Sequence, residues 1–187
     1  MEIKFKIETL GYLVSEISSN TKRFKIGHSS AYGDRFQELL NKLFFIYEIL
    51  KEKNITYFPY STNVLWEDDR VNYYWTIRID SIYSCINIKI EKLSPSNESY
   101  KEVLIQEDIE TEKLFDAIYQ SLEKMLAEFG FVGYKKKWEA GNFPIYEYIT
   151  LKAATEGMDL RHVSCLEQEE WKQKIDLKDE LGVINMS

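Results

Sequence analysis

The sequence predicts an α+β fold: an antiparallel sheet of about six to seven strands, arranged as a meander of hairpins, with two long helices and one shorter helix packed mainly on one face. Three observations predict it. Short runs alternate apolar and polar residues with period two, longer runs repeat apolar residues every three or four, and the strand-like runs are joined by connections too short for a parallel crossover.

The elements follow in order. Ile3, Phe5 and Ile7 alternate with Glu2, Lys4 and Lys6 as a half-buried strand, which Gly11 interrupts. Residues 12–18 and 22–28 flank the polar Ser19-Asn20-Thr21 and read as a hairpin. Asp34 and Gln37 have capping-box spacing ahead of Phe36, Leu39, Leu40, Leu43, Tyr47 and Leu50, so a helix starts there and stops near Asn54. Phe44, Phe45, Ile46 and Ile49 widen its apolar arc, which predicts cover on more than one side. Residues 56–66 form a strand in which Pro59 demands an edge position or a bulge. After the turn Glu67-Asp68-Asp69-Arg70, Tyr73, Trp75, Ile77 and Ile79 face one way and Tyr74, Thr76, Arg78 and Asp80 the other. Ile86, Ile88 and Ile90 mark the next strand, Ser94-Pro95-Ser96-Asn97 a turn, and residues 100–106 another strand. Phe115, Ile118, Leu122, Met125 and Phe129 make one face of a second helix that Gly130 stops, with Lys135, Lys136, Lys137 and Trp138 in the loop beyond. Asn142-Phe143-Pro144 opens a shorter helix to about Glu156, with proline in its first turn.

A chain of 187 residues suits one core. The composition shift at Gly157 predicts an α+β domain over 1–157 and an appended helix or partly ordered tail over 158–187. The longest apolar run, Leu43 to Tyr47, is cut by Glu48, so no span crosses a bilayer. The charged start, Met1-Glu2-Ile3-Lys4-Phe5-Lys6, is not a signal peptide. Two distant cysteines, Cys85 and Cys165, fit a reducing, cytoplasmic setting. The net charge of −7 is uneven: residues 1–93 carry 13 basic and 12 acidic side chains, leaving 11 and 19 beyond. That balance repels phosphate backbones and excludes nucleic acid as a partner, while it favours a basic protein.

The chemistry-bearing residues are few. His28 and His162 are the two histidines, and neither lies in a zinc-ligand pair. His162 and Cys165 are three apart, which is two ligands and not a site. Cys85, between Ser84 and Ile86, reads as a core thiol. No nucleophile elbow or phosphate-cradling glycine run occurs, so no catalytic residue, metal or cofactor is predicted. One carboxylate cluster is local, Glu67-Asp68-Asp69, at a hairpin tip. Around it crowd Tyr57, Phe58, Tyr60, Trp66, Tyr73, Tyr74, Trp75 and Tyr83. Tyrosine and tryptophan combine an apolar body with a polar handle and are enriched in protein interfaces.

The span Trp66 to Arg78 (Trp-Glu-Asp-Asp-Arg-Val-Asn-Tyr-Tyr-Trp-Thr-Ile-Arg), with the hairpins and long helix before it, resembles small bacterial α+β proteins. Some of these are encoded beside polymorphic or contact-dependent toxins and are taken to be immunity proteins. The likeness extends over about residues 1–130 and carries no catalytic residue. It implies a neutralising role: a protein that occludes a basic toxin domain, with Glu67, Asp68, Asp69, Tyr74 and Trp66 at the interface. Two other readings stand beside it. One is a small-molecule or peptide sensor with an aromatic cleft between sheet and helices; the other is an enzyme that works through carboxylates.

Overall fold

Among the described residues, seven antiparallel strands form two sheets, where the sequence led us to expect one. The computed structural model describes residues 1–19, 22–53, 55–69, 71–94 and 97–156, with the backbone alone at 97–100. The chain divides into two compact units, Met1–Phe143 and Pro144–Ser187. The first unit holds both sheets and the two long helices.

The first sheet has the order β1 (Glu2–Thr9), β2 (Tyr12–Ser18), β3 (Arg23–Ser29). Its inner face is set by register: Ile3, Ile17 and Phe24 share one row, Phe5, Ser15 and Ile26 the next, and Ile7, Leu13 and His28 the third. Gly11 turns the β1–β2 hairpin at φ 67°, a conformation open to glycine. Gly27 is needed for a different reason, because a Cβ there would overlap the Tyr12 hydroxyl.

The second sheet runs β4 (Tyr60–Glu67), β5 (Asn72–Ile79), β6 (Ile86–Ser94), β7 (Asn97–Ile109). Pro59 directly precedes β4, which is an edge strand, as proline requires. Its four-residue connection to β5 pairs Glu67 with Asn72, Trp66 with Tyr73 and Val64 with Trp75. Paired residues share a face. Trp66, Val64, Trp75, Ile77 and Ile79 therefore all point inward, joined by Ile86, Ile88, Ile90, Ile105 and Ile109.

Helix α1 (Arg35–Lys51) starts as its sequence promised, with the Asp34 side chain accepting from the Gln37 N–H at 3.0 Å. It links the sheets. Phe36 lies 5.2 Å from Phe5 of the first sheet, and Lys42 donates to the Asn63 carbonyl at the edge of β4. Helix α2 (Thr111–Lys137) runs along the outer edge of β1, where Ser121 Oγ accepts the Phe5 N–H at 3.1 Å. Gly130, at φ 60°, interrupts α2 as expected, but the chain then resumes helical geometry. Lys135, Lys136 and Lys137 thus form its last turn and not a loop.

The inner faces of the two sheets meet at a shared core, with Phe5 and Trp66 6.2 Å apart and the α1–α2 contact at Phe44 and Phe115, 6.2 Å. β3 and β4, which α1 separates in the chain, do not pair, and each is the edge strand of its own sheet. In the second unit, α3 (Ile145–Thr155) begins at Pro144, whose carbonyl accepts the Tyr148 N–H at 3.0 Å. The predicted tail over 158–187, with His162 and Cys165, lies outside the described residues, as does Arg70.

Candidate functional site

The acidic bend between β4 and β5 is fastened to three other elements. Glu67 Oε2 accepts from Arg35 Nη2 at 3.0 Å, and Arg35 also reaches Glu38 at 2.9 Å. Asp68 Oδ2 accepts from the Tyr12 hydroxyl at 2.9 Å, and Asp69 Oδ1 from the Tyr32 hydroxyl at 3.0 Å. Beneath them, buried His28 places Nδ1 3.0 Å from the Glu67 carbonyl oxygen and Nε2 2.9 Å from that of Gly33. The bend is thereby held against α1, β2 and the 3-10 turn at Ser30–Tyr32.

The electrostatics follow from these contacts. Burial and then the bond to Asp68 push the Tyr12 phenol well above its usual range, and burial with the Asp68 charge raises that of Tyr73. The bond to Asp69 raises Tyr32. Hydrogen bonds to Glu38 and Glu67 hold the Arg35 guanidinium still more firmly protonated. Burial draws the Glu38 carboxyl upward, but bonds from Lys42 and Arg35 outweigh it and hold the group low.

The five residues singled out by sequence do not form one surface. Trp66 is 0 % exposed and packs against Trp75 at 5.1 Å, His28 at 5.9 Å and Phe5 at 6.2 Å. Expecting it at the interface was an error. Its cross-strand neighbour Tyr73 lies on the inward side of β5, and Trp66 shares that side. Tyr74 is half-buried on the opposite, outer face. There it pairs with Leu65 on one side and Glu91 on the other, and Glu91 pairs in turn with Val103. Leu65, Tyr74, Glu91 and Val103 make a strip across the sheet that is apolar except at Glu91, with Glu91 8 % and Val103 48 % exposed. Glu67 belongs to the same face, two residues from Leu65, so the acidic bend adjoins the strip.

Polar groups around the strip are matched locally. Lys89 pairs with Glu91 at 2.8 Å, Arg78 with Asp80 at 2.8 Å, and Asn87 donates to Asp108 at 2.8 Å. Lys101 Nζ stands 5.0 Å from the centre of the Tyr74 ring. Leu65 and Val103 were missed in the sequence. The four-residue turn, taken with the alternation of β5, was the signal that sets Leu65 opposite Tyr74.

Other expected features fall elsewhere. Tyr57 and Tyr60 pack on Phe45 of α1 at 5.6 and 5.1 Å, at the start of β4 and away from the strip. Cys85 is an exposed free thiol and not a core residue, because it precedes β6 on a turn. A cleft between sheet and helix does exist, about 660 Å³ between β1 and α2, but charged and aliphatic residues dominate its lining in place of the predicted aromatic set. Among the described residues no three His, Cys, Asp or Glu side chains gather as metal ligands, and no helix is long and apolar enough to cross a membrane. No family model, curated protein or solved structure matches the chain.

Proposed function

We propose that this chain is a non-enzymatic binding protein of the immunity type, which neutralises a bacterial toxin domain in the cytoplasm by occluding its active site. The observation that carries the reading is the open outer face of the four-stranded sheet. Its apolar residues Leu65, Tyr74 and Val103 are accompanied by polar groups that already satisfy one another, Glu91 within the strip being paired with Lys89. Protein interfaces combine an apolar centre with such a polar rim, so little desolvation is left uncompensated on docking. The acidic bend supports a basic partner. Glu67 and Asp68 are held by part-buried bonds, whereas the bond of Asp69 to Tyr32 is exposed, so Asp69 is the carboxylate best placed to steer association. The exposed thiol of Cys85 supports a reducing surrounding.

Titration of the full chain with the toxin domain encoded by the neighbouring gene tests this. Tyr74→Ala and Val103→Lys are each expected to weaken the complex by about 10- to 100-fold, as loss of a central anchor does. The stability cost is small by comparison, about 0.2–1 kcal/mol for the lost Tyr74–Leu65 cross-strand pair, and the lysine faces Glu91. If both variants bind as the parent does, the outer face is not the interface.

A further inference from the structure

The geometry points to a second binding site, the free edge of β4 from Ser61 to Leu65, which takes an extended segment of a partner protein as an added strand. It stands or falls without the toxin-binding reading. Two side-chain contacts give the direction of the β4 main chain. The Asn63 carbonyl accepts from Lys42, and the Glu67 carbonyl stands 3.0 Å from His28 Nδ1 of β3. In an antiparallel pair the N–H and C=O of one residue point the same way, and successive residues alternate. Ser61, Asn63, Leu65 and Glu67 therefore present their main-chain groups at the free edge, while Thr62, Val64 and Trp66 bond β5. Glu67 is taken by His28. From Ser61 to Leu65, Lys42 is the only side chain bonded to these groups among the described residues.

The other edge strands are guarded, and β4 is not. β1 is overlaid by α2 through Ser121. β3 carries Arg23 and Lys25. β7 carries Lys101, Glu102, Glu107 and Asp108, and it bulges at Leu104, where Ile105 and Val103 face successive residues of β6. Charges and bulges on an edge strand discourage pairing with other chains. The stretch from Tyr60 to Leu65 has neither. It is uncharged, keeps continuous register with β5, and is rich in residues that suit strands.

The edge itself selects the occupant. Donor and acceptor pairs that recur about every 6.8 Å match another extended main chain. A phosphate backbone offers acceptors without the matching donors, and an acyl chain offers neither. Side chains of the added strand alternate between two faces. On the outer face, the residue beside Leu65 extends the apolar contact of Leu65 with Tyr74. On the inner face, α1 follows the edge, with Phe45 5.1 Å from Tyr60 and Lys42 at Asn63. Phe45 and Tyr57 are 41 % and 48 % exposed with their rings 5.6 Å apart, an apolar shelf ready for one inward side chain. Beside that shelf, Glu38 and Lys42, paired at 3.0 Å, suit a polar one. The occupant is thus an extended segment with one apolar anchor on the shelf and another beside Leu65.

The test selects a displayed library of random linear peptides on the immobilised full chain, then follows amide hydrogen exchange by NMR with the enriched peptides. In the free chain the Ser61, Asn63 and Leu65 amides are expected to exchange fast and those of Thr62, Val64 and Trp66 slowly. Saturating peptide should slow Asn63 and at least one of its edge neighbours by at least about tenfold. Asn63→Pro removes an edge donor but no bond to β5, and should weaken binding at least about tenfold with Thr62, Val64 and Trp66 still protected. Phe45→Ser, which empties the shelf, should weaken it several-fold. The site is refuted if no peptide is enriched, or if enriched peptides leave the edge amides exchanging fast. It is refuted equally if sedimentation shows a dimer that Asn63→Pro dissociates, since a second copy then occupies the edge.

Discussion

Replacing Trp66 separates a core role from an interface role by magnitude. The ring is sealed against Phe5, His28 and Trp75, and its Nε1 is buried with no hydrogen-bond partner among the described residues. Trp66→Ala is expected to cost about 3–5 kcal/mol, the usual loss for emptying such a site. Trp66→Phe works differently. It leaves roughly 40 Å³ unfilled, which at about 24 cal/mol per Å³ costs about 1 kcal/mol. It also removes an unpaired N–H whose desolvation opposes folding by about 1–3 kcal/mol. The terms oppose each other, so the net change is expected to lie between about zero and about 2 kcal/mol in favour of the phenylalanine variant. Urea unfolding with an unchanged slope reads both variants. Trp66→Phe should also leave partner affinity intact, the reverse of Tyr74→Ala. A phenylalanine variant as unstable as the alanine one would refute the unpaired N–H. Loss of affinity at full stability would return Trp66 to the interface.

Two further outcomes follow from the bend and the α1 cap. Because the Tyr12 phenol is raised in the folded chain, chiefly by burial and then by Asp68, its contribution is fully present below the unfolded value, about 10, and is lost as pH rises through the folded one. Urea midpoints are therefore expected to fall above about pH 10, and Asp68→Asn should flatten that decline; an unchanged slope would show that Asp68 does not contribute. Gly141→Ala would drive a Cβ into the Asp34 carboxylate, which accepts from both Gln37 N–H and Trp138 Nε1. A loss of about 1–3 kcal/mol is expected by thermal or urea unfolding, and a neutral result would mean that Asp34 can cap α1 from another rotamer.

Local patterns carried most of the elements. The alternation of Ile3, Phe5 and Ile7, the Asp34 cap and the Gly130 break all depend on neighbours a few residues away, and each is read directly from the chain. Long-range partnership is different. Nothing in the strand residues 23–29 or 60–67 says that β3 and β4 belong to separate sheets, because α1 intervenes and only the ends meet, at His28 and Glu67. The site was half legible for the same reason. Tyr74 is placed outward by alternation within its own strand, but the burial of Trp66 depends on which residue faces it across the turn. The carboxylates Glu67, Asp68 and Asp69 looked free because their partners, Arg35, Tyr12 and Tyr32, lie between 32 and 56 residues away in the chain.

The hydroxyl that receives the Phe5 N–H is 116 residues downstream of it. On a ribosome adding about 5–20 residues per second, the first strand is made roughly 6–23 s before the helix that lies along its margin. Throughout that interval the margin is open to other nascent chains, and strand-to-strand association between them competes with correct folding. The yield of native protein is therefore expected to depend on synthesis speed as well as on equilibrium stability.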